Sequence, residues 1–362
     1  MKIILATGGT GGHIFPAQAL AEELLKAGAE VEFMVDERFF AYLEKTKGNF
    51  PSVPIHKIAA SPISGGLVQK LKAVFKNAEA VEQAWWVLRI SRPDVVVGFG
   101  GYPSLPTMLA ARGCVRIIHE QNAIMGKANR MLAKKAHNII TAFANVAPDY
   151  SEQVLQFGNP VRSEILALAQ REYHAPFEGE INLLVMGGSQ AASIFAEVIP
   201  QAISLLSDDL KARLRITQQA KAEQVAEMQV QYANMGVVSE IAPFFADIPA
   251  KLELAHLVIA RAGASTIAEL SCAGLPAILV PLPSSADNHQ LYNAKAICDA
   301  GGGWLLEQSN LNVVTLAELL TKLLEAPNLL EQASNITRNL STPNAADDLA
   351  KHILHKGNIK IA

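Results

Sequence analysis

The chain has 362 residues, of which 50% are hydrophobic and 18% are charged, and its formal net charge is −3. This length allows two domains with separate cores, the composition excludes a disordered chain, and the charge argues against a nucleic-acid partner. Three scattered cysteines exclude a disulfide framework and indicate a reducing compartment. No apolar run has the character of a signal peptide or a transmembrane helix, so we expect a soluble, cytoplasmic protein.

Short apolar runs alternate with helical stretches along the chain, which is typical of parallel α/β layers. In the first half we predict a helix over 16–27 and strands over 3–6, 31–35, 94–97, 116–119 and 138–142, the last of which closes the sheet. The pattern restarts after Asn159-Pro160, with strands predicted over 181–186, 214–217, 237–240, 257–260 and 277–280. We therefore expect an α/β fold of two doubly wound, Rossmann-like domains that face a central cleft. We expect the first domain to cover 1–160 and the second 161–339, with a helix of about 340–362 packed back on the first.

Three of the predicted strands end in glycine clusters that precede helices, at 8–12, 98–101 and 187–188. Glycine allows positive φ and lets backbone N–H groups approach a phosphate. None of the clusters continues as a Walker loop, and Ile14 and Pro103 stand where a dinucleotide fingerprint has its third glycine. The clusters favour a phosphate-bearing ligand; the alternative is that tight strand–helix turns need glycine in any case.

The stretch 258–290 contains a strand, a glycine turn, a helix and a second strand. Its helix begins at the carboxyl edge of the sheet, where unpaired N–H groups form an anion site. Glu269 lies one turn into this helix and is placed to accept hydrogen bonds from two sugar hydroxyls. The alternative is a capping box, Thr266-x-x-Glu269, in which the glutamate only stabilises the helix start.

Five motifs occur in the order seen in the MurG family of peptidoglycan N-acetylglucosaminyltransferases, within glycosyltransferase family 28. They are Thr7-Gly-Gly-Thr-Gly-Gly-His13, His119-Glu-Gln-Asn122, Gly158-Asn-Pro-Val-Arg162, Gly187-Gly-Ser-Gln190 and the run 261–269. The chain resembles this family over nearly its whole length. The resemblance implies a GT-B fold with UDP-GlcNAc bound mainly by the C-terminal domain. It also implies inverting transfer of GlcNAc to the 4-hydroxyl of the muramic acid residue of lipid I, which gives lipid II.

The resemblance implies roles for single residues on the donor side. Glu269 would bind the ribose hydroxyls, the Phe245 backbone would pair with uracil, and Gln290 would bind the hexose hydroxyls. Ser189 and Arg162 would contact the diphosphate. The helix N-terminus would be supplied by Ala264, Ser265, Thr266, Ile267 and Ala268.

On the acceptor side, the resemblance implies contacts from Thr10, Gly11, Gly12 and Asn122. The sequence departs from the family pattern in three places, at Ala191, at 102–106 and at His289. These departures fall after the third glycine cluster, after the second, and beside Gln290.

The catalytic candidates are His13, Glu120 and Asn122. Imidazole titrates near working pH, so His13 is the best candidate general base, although it could instead orient the loop or a phosphate. Glu120 is a second candidate; a glutamate at a strand end more often positions a neighbour. No Asp-x-Asp motif follows a strand, so we expect no metal and no cofactor, and Arg162 and the helix N-terminus at Ser265 would stabilise the leaving diphosphate.

The helix predicted over 66–89 allows two interpretations. An apolar stripe at helical spacing would pack on the N-terminal sheet, and it consists of Leu67, Leu71, Val74, Phe75, Ala78, Val81, Trp85 and Leu88. Alternatively, Lys70, Lys72 and Lys76 beside the apolar residues would bind an anionic membrane surface. The resemblance adds a lipid-linked acceptor, a peripheral position on the cytoplasmic face of the cell membrane, and other cell-wall synthesis proteins as partners.

Four other functions remain alternatives at this point. A non-hydrolysing UDP-GlcNAc 2-epimerase, or another GT-B glycosyltransferase with a lipid acceptor, would share the architecture and the donor. A nicotinamide dehydrogenase is disfavoured by the incomplete dinucleotide fingerprints. A non-catalytic subunit that binds a nucleotide sugar would not need the acceptor-side motifs.

Overall fold

The computed structural model describes residues 1–8, 11–40, 52–61, 66–188 and 193–358. The chain divides into two compact units, unit 1 from Met1–Arg162 with Thr342–Ala362, and unit 2 from Ser163–Ser341. Each unit contains one parallel sheet with helices packed on it. Among the described helices, none combines the length and the apolar character that crossing a bilayer requires.

The described strands and helices follow in chain order. The strands are β1 (Lys2–Thr7), β2 (Glu30–Val35), β3 (Ile55–Lys57), β4 (Val95–Gly98), β5 (Val115–Glu120), β6 (Asn138–Thr141), β7 (Val154–Gln156), β8 (Ile181–Met186), β9 (Leu214–Gln219), β10 (Val238–Ala242), β11 (Leu257–Ala260), β12 (Ala277–Leu279) and β13 (Gly303–Leu305). The helices are α1 (Gly11–Lys26), α2 (Leu67–Ser91), α3 (Gly101–Ala110), α4 (Lys127–Leu132), α5 (Ser163–Leu166), α6 (Ser193–Ser204), α7 (Asp208–Arg213), α8 (Ala222–Asn234), α9 (Ile248–Leu254), α10 (Ala264–Ala273), α11 (His289–Cys298), α12 (Val313–Glu325), α13 (Pro327–Asn339) and α14 (Ala345–Gly357).

Unit 1 has the strand order β3-β2-β1-β4-β5-β6-β7, with every pairing parallel. Its central strands are apolar runs because helices cover both faces of the sheet. The C-terminal helix α14 packs on α1, and Leu349 and Ile353 lie fully buried in the unit 1 core. The last helix of the chain therefore completes the first unit.

Unit 2 has the strand order β10-β9-β8-β11-β12-β13, also with parallel pairings. Its core forms around β8, β9 and β11, with Phe195 of α6 and Tyr232 of α8 fully buried. The described architecture is thus two doubly wound α/β units, as the sequence predicts.

The positions of the predicted strands agree with the structure to within two residues. The predicted start of the first helix and the predicted edge of the first sheet were wrong, and three edge strands were not predicted. The first helix begins at Gly11 and not at Pro16, so His13 lies in its first turn and Pro16 lies inside it. β6 does not close the sheet, because β7 pairs beyond it. The sequence analysis missed β3, β7 and β13, which have three residues each and no fully buried face.

The first interpretation of helix α2 is wrong for most of the stripe it named. Among the described side chains of α2, the buried ones are Ala73, Ala80, Ala84 and Leu88, and of these Leu88 belongs to the predicted stripe. Val74, Phe75 and Trp85 are instead 52%, 75% and 38% exposed. Small alanines let the helix lie close to its neighbours, which leaves the larger apolar side chains on the outside.

Candidate active site

Each sheet reverses its strand order at one point, and the glycine clusters lie beside these points. In unit 1 the order turns at β1, which is flanked by β2 and β4, and in unit 2 it turns at β8, which is flanked by β9 and β11. In doubly wound sheets, ligands bind outside the carboxyl ends of the strands at this switch point. Gly8 and Gly98 end or follow the strands at the first point, and Gly187 follows β8 at the second. Each unit therefore has one candidate ligand-binding edge.

At the unit 1 edge, His13 is linked to two side chains of the His119–Asn122 motif. His13 Nδ1 lies 3.0 Å from Gln121 Oε1, and Gln121 Nε2 lies 3.1 Å from His119 Nδ1 and 2.9 Å from the Phe99 carbonyl oxygen. His119 Nε2 lies 3.0 Å from the Gly158 carbonyl oxygen. His119 is fully buried, and burial lowers its pKa to about 4. This imidazole is neutral at physiological pH.

Glu120 is buried, and its carboxylate oxygens accept hydrogen bonds from the following loop and from helix α4. Oε1 accepts from the Asn122 backbone N–H at 3.0 Å and from Asn122 Nδ2 at 3.1 Å. Oε2 accepts from the Gly126 backbone N–H and from Asn129 Nδ2, both at 2.9 Å. Four donors on one carboxylate favour the positioning role over the role of a general base.

Glycine is required at three positions of this edge. A β-carbon on Gly8 would lie 2.5 Å from Asp36 Oδ1, at the end of β2. Gly100 and Gly101 have φ of 79° and 66°, and a β-carbon on Gly101 would lie 3.3 Å from His13 Nε2. Helix α3 begins at Gly101, so residues 102–106, where the sequence departs from the family pattern, are helical. The second glycine cluster thus lets the His13 ring lie against the backbone.

Arg162 lies in unit 1, two residues beyond the boundary that the sequence suggested. Its guanidinium carbon is 4.4 Å from the centroid of the Phe15 ring, in helix α1. Stacking on an aromatic face restricts an arginine side chain while keeping its charge. Arg162 therefore belongs to the same edge as His13.

At the unit 2 edge, helix α10 begins without a side-chain cap. Its N-cap is Gly263, so Ser265, Thr266 and Ile267 lie in the first turn and Glu269 is the sixth residue. The capping-box interpretation is wrong, because Thr266 is not the N-cap. Glu269 is 9% exposed. The pKa of the nearby Cys272 thiol is raised to about 11, mainly because Cys272 is buried and secondly because of the negative charge of Glu269.

Arg261 fixes the turn before α10 from inside the unit. Its Nη1 donates to the Val280 and Pro281 carbonyl oxygens at 3.1 and 3.2 Å, and its Nη2 donates to Gln308 Oε1 at 2.7 Å. The guanidinium carbon lies 5.0 Å from the centroid of the Phe195 ring. Burial lowers the pKa of the Arg261 guanidinium. Asn293, also buried, donates to the Ala262 carbonyl oxygen at 3.2 Å. Arg261 and Asn293 hold the two ends of the turn in place.

The loop before α11 is held by its own polar side chains. Gln290 Oε1 accepts from the Leu282 backbone N–H at 3.0 Å, and His289 Nδ1 donates to the Ala286 carbonyl oxygen at 2.7 Å. In the described part of the chain, the Gln290 amide nitrogen has no hydrogen-bond partner, so its two donors remain for a ligand. His289 is used to shape the turn.

Phe245 follows β10, at the same carboxyl edge of the sheet, with its side chain buried. Lys251 Nζ lies 5.7 Å from the centroid of its ring. Within the described residues, neither the N–H nor the C=O of Phe245 forms a backbone hydrogen bond. Those two groups can therefore pair with a planar ligand edge.

Two predicted site residues, Thr10 and Ser189, lie outside the described residues, as does Ala191, and for Gly11 only the backbone is described. Among the described residues, no cluster of three histidine, cysteine or acidic side chains could hold a metal ion. The sequence analysis gave no role to Gln121, Asn129, Arg261 or Asn293. Of these four, Gln121 and Arg261 could have been found from the sequence, because both are polar residues next to the ends of buried strands.

The chain matches two family models that together cover most of its length. Residues 3–141 match the glycosyltransferase family 28 N-terminal domain, and residues 182–353 match the glycosyltransferase family 28 C-terminal domain. The first match ends before Asn159-Pro160, where the sequence pattern restarts, and the second begins after it.

Related proteins are similar to this chain over nearly their full length. A protein of Rhodospirillum centenum named UDP-N-acetylglucosamine–N-acetylmuramyl-(pentapeptide) pyrophosphoryl-undecaprenol N-acetylglucosamine transferase is 45% identical, over 97% of this chain and 93% of its own. A Zymomonas mobilis protein of the same name is 42% identical over 96% and 91%. The crystal structure of Acinetobacter baumannii MurG is similar with a TM-score of 0.79 at 31% identity, over 98% of this chain and 99% of that one. A UDP-GlcNAc 2-epimerase from Neisseria meningitidis has a TM-score of 0.69 at 14% identity, which indicates a shared fold alone.

Proposed function

This chain belongs to glycosyltransferase family 28, and on that premise we propose that it transfers GlcNAc from UDP-GlcNAc to N-acetylmuramyl-(pentapeptide) pyrophosphoryl-undecaprenol. This reaction converts lipid I to lipid II in peptidoglycan synthesis. The observation that carries the proposal is the 45% identity, across nearly the full length of both chains, with a transferase named for this reaction. The test is formation of the disaccharide product from labelled UDP-GlcNAc and a short-chain analogue of the acceptor.

In this proposal, unit 2 binds the donor at the carboxyl edge of its sheet. The Glu269 carboxylate accepts hydrogen bonds from the two ribose hydroxyls, and the Phe245 backbone groups pair with uracil. The Gln290 amide donates to hexose hydroxyls. What supports these roles is that Glu269 is a buried carboxylate on α10, and that the Phe245 and Gln290 donors are uncommitted in the described part of the chain.

The leaving diphosphate is stabilised by fixed positive charge rather than by a metal ion. The N-terminus of α10 over Ala264–Ala268 carries the partial positive charge of its unpaired N–H groups. Ser189 and Arg162 add a donor and a full charge. An arginine restrained by aromatic stacking is already ordered before the negative charge develops, so little reorganisation is needed.

The acceptor is bound at the unit 1 edge, and His13 acts as the general base on its 4-hydroxyl. Thr10, Gly11, Gly12 and Asn122 provide contacts with the acceptor. Glu120 holds Asn122 and the loop up to Gly126 in place through its four hydrogen bonds. In this proposal His13 is the catalytic residue, and Glu120 and Asn122 shape the loop.

The enzyme binds the cytoplasmic face of the membrane peripherally, through the first half of α2. Val74 and Phe75 are exposed, and so are Lys72 and Lys76 beside them. The side chain of Lys70 lies outside the described residues. Exposed apolar side chains next to lysines bind anionic bilayers reversibly, which suits a lipid-linked acceptor and contact with other cell-wall synthesis proteins there.

A further inference from the structure

The hydrogen bonds that begin at His13 determine which of its two ring nitrogens carries the proton. We propose that Gln121 is a positioning residue that holds His13 as the tautomer protonated on Nδ1, so that Nε2 is the nitrogen that removes the proton from the acceptor hydroxyl. The tautomer follows from the unit 1 contacts alone. The proton transfer rests on the proposed function.

The first step concerns His119, at the buried end of the network. Its Nε2 lies 3.0 Å from the Gly158 carbonyl oxygen, and a carbonyl oxygen can only accept. Nε2 must therefore carry a proton. Because this fully buried ring is neutral, with its pKa lowered by burial to about 4, its Nδ1 carries a lone pair and can only accept.

The second step fixes the orientation of the Gln121 side chain. One end of its amide lies 2.9 Å from the Phe99 carbonyl oxygen and 3.1 Å from His119 Nδ1, and both of these atoms are acceptors. The NH₂ group must occupy this end, because the flipped amide would place its oxygen against two acceptors. Gln121 is 1% exposed, so no bulk water could compensate for such a flip.

The third step transfers this constraint to His13. With the NH₂ group turned towards Phe99 and His119, Gln121 presents its oxygen to His13 Nδ1 at 3.0 Å. That oxygen accepts only, so His13 Nδ1 carries a proton. In the neutral ring, Nε2 is then the basic nitrogen, on the side of the ring that faces Gly101.

This tautomer suits the proposed transfer. The acceptor oxygen forms a bond to the anomeric carbon of GlcNAc as the bond from that carbon to the diphosphate oxygen breaks. The hydroxyl proton moves to His13 Nε2, and the electron pair of the broken bond leaves with UDP. The imidazolium that forms keeps its Nδ1–H bond to Gln121, so the ring does not need to reorient during the step.

The direct test of the tautomer does not require activity. Two-bond ¹H–¹⁵N correlation spectra of the full-length protein with ¹⁵N-labelled histidine distinguish the two tautomers, and His13→Gln identifies the His13 signals. We expect the Nδ1–H pattern for His13 and the Nε2–H pattern for His119 at pH 8. A His13 ring with its proton on Nε2 would overturn the proposal.

The kinetic test uses Gln121→Met, which keeps the side-chain length but removes the acceptor. We expect kcat to fall about 10- to 100-fold, less than the roughly 10²–10⁴-fold that a general base contributes, because the base is misoriented and not removed, while KM for UDP-GlcNAc changes by less than about twofold. In the same variant, the His13 spectrum should show a mixture of tautomers. The matched control is Gln218→Met in unit 2, which also removes a buried glutamine oxygen, the acceptor for the Tyr232 hydroxyl at 2.6 Å.

The outcomes separate this proposal from the proposed function. If the wild-type protein forms no disaccharide, the proposed function fails and the spectra still test the tautomer. If it forms disaccharide and Gln121→Met retains wild-type kcat with a folded spectrum, the positioning role is wrong. An equal loss of kcat in Gln218→Met would also contradict it, because a general loss of stability would then explain both variants.

Discussion

The side-chain amide of Asn129 donates a 2.9 Å hydrogen bond to Glu120 Oε2, and both residues are buried. The same carboxylate holds Asn122 and Gly126, so a single side chain joins the end of β5, the loop after it and helix α4. A carboxylate in this position can serve as the acceptor for four donors, or give up those bonds to take a proton. The geometry favours the first.

We therefore predict that Glu120→Gln lowers stability and activity together. The amide NH₂ group must face at least one of the former donors, which leaves a buried group unsatisfied at a cost of about 1–3 kcal/mol. Urea unfolding and the pH profile of kcat/KM, measured on one preparation, check this. As a control, Glu152→Gln at an exposed position should change neither quantity. If Glu120 is instead the base, most of the turnover should be lost, and the residual activity should show no acidic limb in its pH profile, while stability is retained.

A second prediction concerns the donor. Glu269→Ala should weaken UDP-GlcNAc binding by about 1.5–3 kcal/mol, because hydrogen bonds from the ribose to a charged acceptor are lost. Isothermal titration calorimetry measures this directly. Glu318→Ala, at an exposed position of α12, is the matched control in the same unit. Unchanged donor affinity in folded Glu269→Ala would remove Glu269 from the donor site.

Much of the fold could be predicted because buried parallel strands are continuous apolar runs. β8 and β11 were predicted to the residue. The edge strands β3 and β7 could not be, since three-residue strands without a buried face have no distinctive periodicity. The face of α2 was wrong for a related reason: hydrophobicity favours large side chains, whereas close packing at this position selects alanine.

The candidate site could be predicted in part. The glycine clusters mark backbone requirements that are local in sequence, as Gly100 and Gly101 illustrate with their positive φ. The contact between His13 and Gln121 joins residues 108 positions apart, and no local pattern encodes it. Arg261 looked like part of a ligand-binding motif, but its donors bind two carbonyl oxygens and Gln308 inside the unit.

A third prediction is that activity survives chelation. If the α10 N-terminus and Arg162 stabilise the diphosphate, excess EDTA should leave most of the turnover intact. Rates measured before and after chelation, and again after adding Mg²⁺ or Mn²⁺, check this. A collapse that either ion restores would reveal a metal site.

A fourth prediction concerns the membrane. Reversing the charges of Lys70, Lys72 and Lys76 to glutamate should reduce co-sedimentation with phosphatidylglycerol vesicles, by about fivefold or more per lysine, from about 1 kcal/mol each. Binding of the wild type should weaken as salt is raised, and UDP-GlcNAc affinity should not change. The control reverses Lys221 and Lys322, two exposed lysines of unit 2. Equal sedimentation of the triple variant and the wild type would place the membrane contact elsewhere.

The most direct test of the central claim is to incubate the purified protein with labelled UDP-GlcNAc, with and without a short-chain lipid I analogue, and to identify the products by mass spectrometry. The account predicts GlcNAc joined to the muramic acid residue, with one UDP released for each disaccharide and no product without the acceptor. His13→Gln should abolish most of this transfer while UDP-GlcNAc still binds. Epimerised UDP-sugar formed without the acceptor, or no disaccharide from a folded protein that binds UDP-GlcNAc, would contradict it.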